Sequence, residues 1–219
     1  MKGLLIKDLK LLKNQRTFFL IVAFICLLFV YTGTDVSFVV SYVTIMFSII
    51  AVSSISYDEQ ENGWSYLFTL PINRERYVTE KYVFGLILTI GAWMFTSVVS
   101  YIVSFYRYTG EIFLNEWCGI MNLCLGTVIL VLAIAIPIQL KFGAERSRMA
   151  YMVIFGSIMA IIFLLSKVFK IKNIGLDEWV TRFGNTQPVM FAGMIAGICM
   201  VVVFISWFIS VKIIKTKEF

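Results

Sequence analysis

The sequence predicts an all-α polytopic membrane protein with six transmembrane helices, and three observations carry that prediction. Of its 219 residues, 60% are hydrophobic and 15% charged, against about 45–50% and about 25% in globular chains. A soluble fold of this size has too little interior for so much apolar surface, so the bilayer must act as its solvent. The apolar residues fall into six runs, 17–32, 36–56, 83–106, 117–140, 149–166 and 188–211. At about 1.5 Å per residue these span about 24–36 Å, close to a hydrocarbon core of about 30 Å. No Asp, Glu, Lys or Arg lies inside any of them. The whole chain, 1–219, reads as one transmembrane domain.

Residues 1–16 come first. Leu5, Leu9 and Leu12 share one helical face while Lys7, Lys10 and Lys13 recur on another, which predicts a basic amphipathic helix in the inner interface, its lysines near anionic head groups. The run 17–32 is short and joins the run 36–56 through residues 33–35 alone, a tight helical hairpin. The fifth run is also short, so both draw in flanking residues or thin the bilayer locally.

Residues 57–82 form the longest polar break. Around its middle, Trp64, Leu67, Phe68 and Leu70 make an apolar patch between Gly63 and Pro71. Such a patch outside the spans marks a docking surface, and the proline ends its short helix. Asn73 is placed to N-cap the next helix, which runs into the third span. Residues 139–148 form a second polar loop. In residues 167–187, Leu176, Trp179, Val180 and Phe183 follow i, i+3, i+4, i+7 spacing, which predicts an external amphipathic helix on the outer leaflet.

Orientation follows from the basic residues. With the N-terminus inside, the inner segments (1–16, 57–82, 139–148, 212–219) hold fourteen Lys and Arg and the outer ones five, so both termini are expected in the cytoplasm. Hydroxyl residues stripe two spans, Ser37, Ser41, Thr44 and Ser48 in the second and Thr89, Thr96, Ser100 and Ser104 in the third. They either let helices pack closely or line a path. Ser41, Thr44, Ser48, Thr96 and Ser100, with Trp179 and Phe183 at the exit, are the candidate path residues. Gly193 and Gly197 form a GxxxG, a packing motif.

Several function classes drop out. A net charge of +6 comes with no basic stripe of base-reading residues, so nucleic acid is not an expected partner. Cys26, Cys118, Cys124 and Cys199 lack metal-ligand spacing and there is no His, so no metal site is expected. No small-residue cleavage pattern follows the first apolar run, so no signal peptide is read. Intramembrane ionisable relays are missing. No GxxxxGK[ST] loop and no nucleophile pairing appear, so an enzyme is not expected and any energy must arrive through a cytoplasmic surface.

Two stretches carry a resemblance. Asp58-Glu59, Gly63-Trp64, Leu67, Thr69-Leu70-Pro71-Ile72, Arg74, Tyr77-Val78 and Lys81-Tyr82 resemble the first cytoplasmic loop of type-2 ABC exporter permeases. Pro137 and Lys141-Phe142-Gly143-Ala144-Glu145-Arg146-Ser147-Arg148 resemble the loop between the fourth and fifth spans of the small six-span members, with Arg146 where Lys is commoner. The opening Lys2-to-Lys10 pattern is similar too, and in size and style the chain is similar to the permease subunits of phenol-soluble modulin exporters. The resemblance implies that residues 57–82 hold a cytoplasmic coupling helix seated in a groove of an ATP-binding cassette subunit. Asp58, Glu59, Gly63, Trp64, Leu67, Phe68, Leu70, Pro71 and Arg74 would serve that contact, with Gly143, Glu145 and Arg148 from the second loop. It further implies ATP and Mg on the partner and none on this chain, and a second permease as homodimer or close paralogue. The place would be a bacterial cytoplasmic membrane, and the cargo amphipathic peptides such as toxins or antimicrobial peptides. The competing class is a non-transporting sensor or immunity protein that binds peptides at the outer face, which has no need of a cytoplasmic docking helix.

Overall fold

The computed structural model describes residues 2–32, 34–60, 63–67, 69, 73–107, 114–171 and 188–217, and among these every element is a helix. In order they are α1 (Lys2–Asn14), α2 (Arg16–Thr32), α3 (Val36–Glu59), α4 (Gly63–Leu67), α5 (Arg74–Arg107), α6 (Leu114–Ile171) and α7 (Pro188–Thr216). The expected external helix, with Trp179 and Phe183, lies outside the described residues, as do Phe68, Leu70 and Pro71.

A bend of 61° separates α1 from α2, with Gln15 between them donating its N–H to the Leu12 carbonyl. The α2–α3 hairpin is antiparallel, because Phe29 meets Phe38 and Tyr42 edge-on while Phe19 meets Phe47. Asn73 caps α5 through its backbone carbonyl, which accepts the Tyr77 N–H at 3.1 Å.

The 58 residues of α6 would reach about 87 Å as one straight helix, far beyond one bilayer. The helix breaks at Gly143, whose φ of 75° and ψ of −178° are not helical. Tyr151 donates its hydroxyl to the Ala135 carbonyl at 3.0 Å and to Gln139 Oε1 at 3.1 Å. In a continuous helix those residues would stand about 18–24 Å apart. The chain therefore doubles back at Gly143, and the runs 117–140 and 149–166 are separate arms of a helical hairpin.

Among the described residues, four stretches are long and apolar enough to cross a membrane, Val36–Glu59, Arg74–Phe105, Trp117–Val153 and Ala192–Thr216; the third contains the Gly143 reversal. α2, at 17 residues, is about 26 Å long, and only with α1 across the bend does it make a fifth candidate. Among the described residues, length and hydropathy thus give a polytopic helical membrane protein with four such stretches, or five with the α1–α2 pair, and the Gly143 reversal divides one of them into two arms. Leu20, Phe24, Phe95, Met200 and Phe204 are exposed, as expected where lipid is the neighbour.

The tightest packing lies at one end. Ile55 of α3, Trp64 of α4, Tyr77, Val78 and Phe84 of α5, Leu132, Ile136 and Leu140 of α6, and Ile214 of α7 form one buried cluster. Higher in the bundle, Gly126 lets α6 and α7 close up, since a Cβ there would meet Ile195 Cγ2 at 2.6 Å. Gly193 and Gly197, expected to serve helix packing, are exposed and, among the described residues, face nothing within 4 Å.

Candidate functional site

The same end of the bundle gathers the four segments that the sequence assigns to one side of the membrane. Lys7 of α1 pairs with Asp58 at the end of α3. Glu59 reaches the α6 reversal, Lys217 reaches the Leu140 carbonyl at 3.2 Å, and Arg74 holds the end of α7. Three buried or half-buried nodes make these connections.

The first is ionic. Lys81 Nζ, wholly buried, lies 2.5 Å from Asp8 Oδ2, 2.8 Å from Asp58 Oδ2 and 3.0 Å from Ser54 Oγ. Tyr77 donates its hydroxyl to Asp58 Oδ2 at 3.1 Å, and Lys7 lies 3.4 Å from Asp8 Oδ1. Glu80, also buried, lies 3.9 Å from Lys81, and neither of its oxygens accepts a hydrogen bond. Three carboxyl groups thus share two ammonium groups, and α1, α3 and α5 are tied at one point. Charges removed from water are tolerated only when paired and hydrogen-bonded, and this cluster meets that condition for Lys81 and Asp58.

The second node surrounds Trp64. The sequence predicts this ring as part of a displayed patch; instead it is only 4% exposed and packs in the cluster with Tyr77. Its Nε1 donates to the Tyr77 hydroxyl at 3.4 Å, and Lys217 Nζ sits 4.0 Å above the ring centroid. Burial pulls the Lys217 ammonium below its ordinary range, with Glu59 partly restoring it. Arg74, read as part of the ATPase contact, donates from Nη1 to the carbonyls of Ile214, Lys215 and Lys217 at 3.0–3.1 Å. It neutralises carbonyls that the last turn of a helix leaves unsatisfied. Two residues read as outward-facing therefore act inward, because an apolar ring and a guanidinium that find partners inside the chain lose less by burial than by display.

The third node is the reversal. Glu59 Oε2 accepts the Ala144 N–H at 2.6 Å and so caps the second arm of α6. A Cβ on Gly143 would run into the Glu59 carboxylate, and its backbone angles lie where only glycine is at ease. Beyond it Glu145 and Arg148 are exposed while Ser147 is buried.

Of the coupling residues, the structure thus brings Asp58, Glu59, Trp64, Arg74 and Gly143 together as the frame of this end. Leu67, read as part of the docking patch, is half-buried against the core cluster. Gly63 begins α4, where a Cβ would press on the Asp58 carbonyl at 2.5 Å. Glu145 and Arg148 remain as outward groups. Sequence reasoning quoted Tyr77 and Lys81 only within the family motif and gave neither a role, and it missed Asp8 and Lys217. The signal available was Asp8 itself, the one acid among the lysines of a basic helix.

The hydroxyl stripes fall inside the bundle. Thr44 and Ser48 are buried, and Thr44 donates to the Val40 carbonyl at 2.7 Å. Ser41 donates to the Ser37 carbonyl at 2.9 Å and to Cys124 Sγ at 3.1 Å. Thr96 and Ser100 bond to carbonyls of their own helix. Both also line a cavity of ≈ 600 Å³ between α2, α3 and α5, whose other walls include Phe19, Val40, Phe47 and Phe95. A second cavity, ≈ 740 Å³, lies between α5, α6 and α7. Among the described residues no cluster of His, Cys, Asp and Glu has the arrangement of a metal site.

A sequence-family model described as ABC-2 family transporter protein matches residues 3–215, nearly the whole chain, and the chain belongs to that family. No curated protein and no solved structure matches it. Within an ABC transporter this family supplies the membrane permease subunit and implies an ATP-binding cassette subunit as partner.

Proposed function

We propose that this ABC-2 family chain is the permease of an ATP-driven exporter, with the framed end of the bundle as its docking point for the ATPase. The observation that carries the reading is the convergence of residues 1–16, the α4 segment, the Gly143 reversal and the end of α7 on one surface. A push delivered to α4 reaches α1, α3, α5 and α7 together through Lys81, Trp64 and Arg74. The basic-residue count supports a cytoplasmic placement of that surface and of both termini; the six apolar runs support six crossings, and the family resemblance a bacterial membrane. ATP and Mg belong to the partner, and a second permease, identical or paralogous, completes the path. The exposed Gly193–Gly197 face leaves α7 open to it. The cavity walls are nearly all apolar, which suits an amphipathic peptide better than an ion. Trp179 and Phe183 would guard the exit.

The test separates docking from packing. The double variant Glu145→Lys/Arg148→Glu changes only exposed groups, and Leu67→Asp puts a charge into the proposed contact, at a cost of several kcal/mol if that contact is dry. Both should insert normally, lose the ATPase on purification and stop export, with melting of the double-variant permease alone unchanged. If both variants keep the ATPase and its cargo-stimulated hydrolysis, the docking reading is wrong. Export that proceeds without any associated ATPase would favour a different membrane role.

A further inference from the structure

The ion node also sorts the charges of α1. Asp8, its only acid, is wholly buried and turned to Lys81, and Lys7 leans toward Asp58. Lys10, Lys13 and Arg16 stay exposed, and with Lys7 and Leu11 they line one open cleft of ≈ 680 Å³ at the α1–α2 bend. Among the described residues no carboxylate pairs with Lys10, Lys13 or Arg16. Like charges gathered in a concavity repel unless an anion joins them.

What surrounds the cleft identifies the anion. Ile6 and Leu9 of α1 are exposed beside it. On α2, Arg16, Leu20 and Phe24 follow at four-residue steps and so share a face, and both apolar members are exposed. The cleft therefore lies where a lipid-facing apolar stripe gives way to cations, the level of the head groups. A free phosphate would use the cations and leave the stripe unused; a phospholipid uses both.

We propose that the cleft formed by Lys7, Lys10, Lys13 and Arg16 binds the phosphate of an anionic phospholipid, whose acyl chains lie along Leu20 and Phe24. The bound lipid would hold the bend between α1 and α2, and through Lys7 and Asp8 it would reach the Lys81 node. The site lies on α1, one of the segments of the proposed ATPase contact, but its test uses the permease alone, so either can fail without the other.

The full-length chain, purified in neutral detergent, is titrated with phosphatidylglycerol, with phosphatidylcholine and with inorganic phosphate, and retained ligand is read by native mass spectrometry. Phosphatidylglycerol should be retained, phosphatidylcholine should not, and inorganic phosphate should not displace the anionic lipid. Lys10→Gln/Lys13→Gln/Arg16→Gln should weaken retention on the order of 100-fold, from three cations each contributing near an anionic surface, while Lys10→Arg/Lys13→Arg keeps it. A charge-matched control, Lys141→Gln/Arg146→Gln/Arg148→Gln, should retain the lipid. Equal retention of the two lipids, equal loss in the control variant, or displacement by inorganic phosphate would each overturn the assignment.

Discussion

Lys81→Met isolates the node on which α1, α3 and α5 meet. Methionine keeps most of the stem and removes the ammonium, so the bonds to Asp8, Asp58 and Ser54, all 3.0 Å or shorter, disappear at once. Asp8 is then left with Lys7 alone and Asp58 with Lys7 and the Tyr77 hydroxyl, and Lys7, whose side chain is 34% exposed, cannot serve both carboxylates fully. Removing one partner of a buried pair costs about 3–5 kcal/mol. For a chain of this size that corresponds to a fall in melting temperature of roughly 6–20 °C. Thermal melting of the solubilised chain reads the magnitude. A Leu4→Cys reporter, 6% exposed in the intact fold, reads the mechanism, because its maleimide labelling should accelerate when α1 comes away. Asp8→Leu added to Lys81→Met removes the stranded charge and should recover most of the loss, since apolar replacement of a whole buried pair is often neutral. If Lys81→Met melts with the wild type, or the double variant is no better than the single one, the node does not hold α1.

Four further outcomes follow from the same geometry. Glu80→Gln, which takes a charge from a cluster with more carboxyls than ammoniums, should shift stability by no more than about 1 kcal/mol in the same melt. Gly143→Ala should cost about 1–3 kcal/mol from its backbone angles alone, and Ala144 should lose hydrogen-exchange protection as the Glu59 carboxylate is pushed aside. Arg74→Gln removes charge-assisted bonds to three carbonyls, so stability should fall by about 1.5–3 kcal/mol and amide exchange should rise over residues 212–217. For orientation, Asn115→Cys should label from outside intact cells and the exposed Glu145→Cys should not; reversed labelling would invert the topology.

Composition and periodicity by themselves determined the class of this protein, a polytopic helical membrane protein. A 3.6-residue period and a bilayer-length apolar run are local properties, legible without knowing any neighbour. Asn73 at the start of α5 was equally legible, because capping acts within a turn; Gly143 was picked out only through its place in the family motif, and its backbone angles came from the fold. Tertiary structure alone decided which way the polar segment faces. Nothing local distinguishes a tryptophan that docks on a partner from one that meets Tyr77 and Lys217, residues 13 and 153 positions away in the sequence. The same holds for Asp8 and Lys81, whose pairing bridges 73 residues. It holds too for the hydroxyl stripes, whose packing depends on which helix comes to lie against them. Local patterns report the solvent a segment prefers. Which charge meets which is settled only when the helices assemble, because a buried charge is stable only beside a partner that the fold itself must deliver.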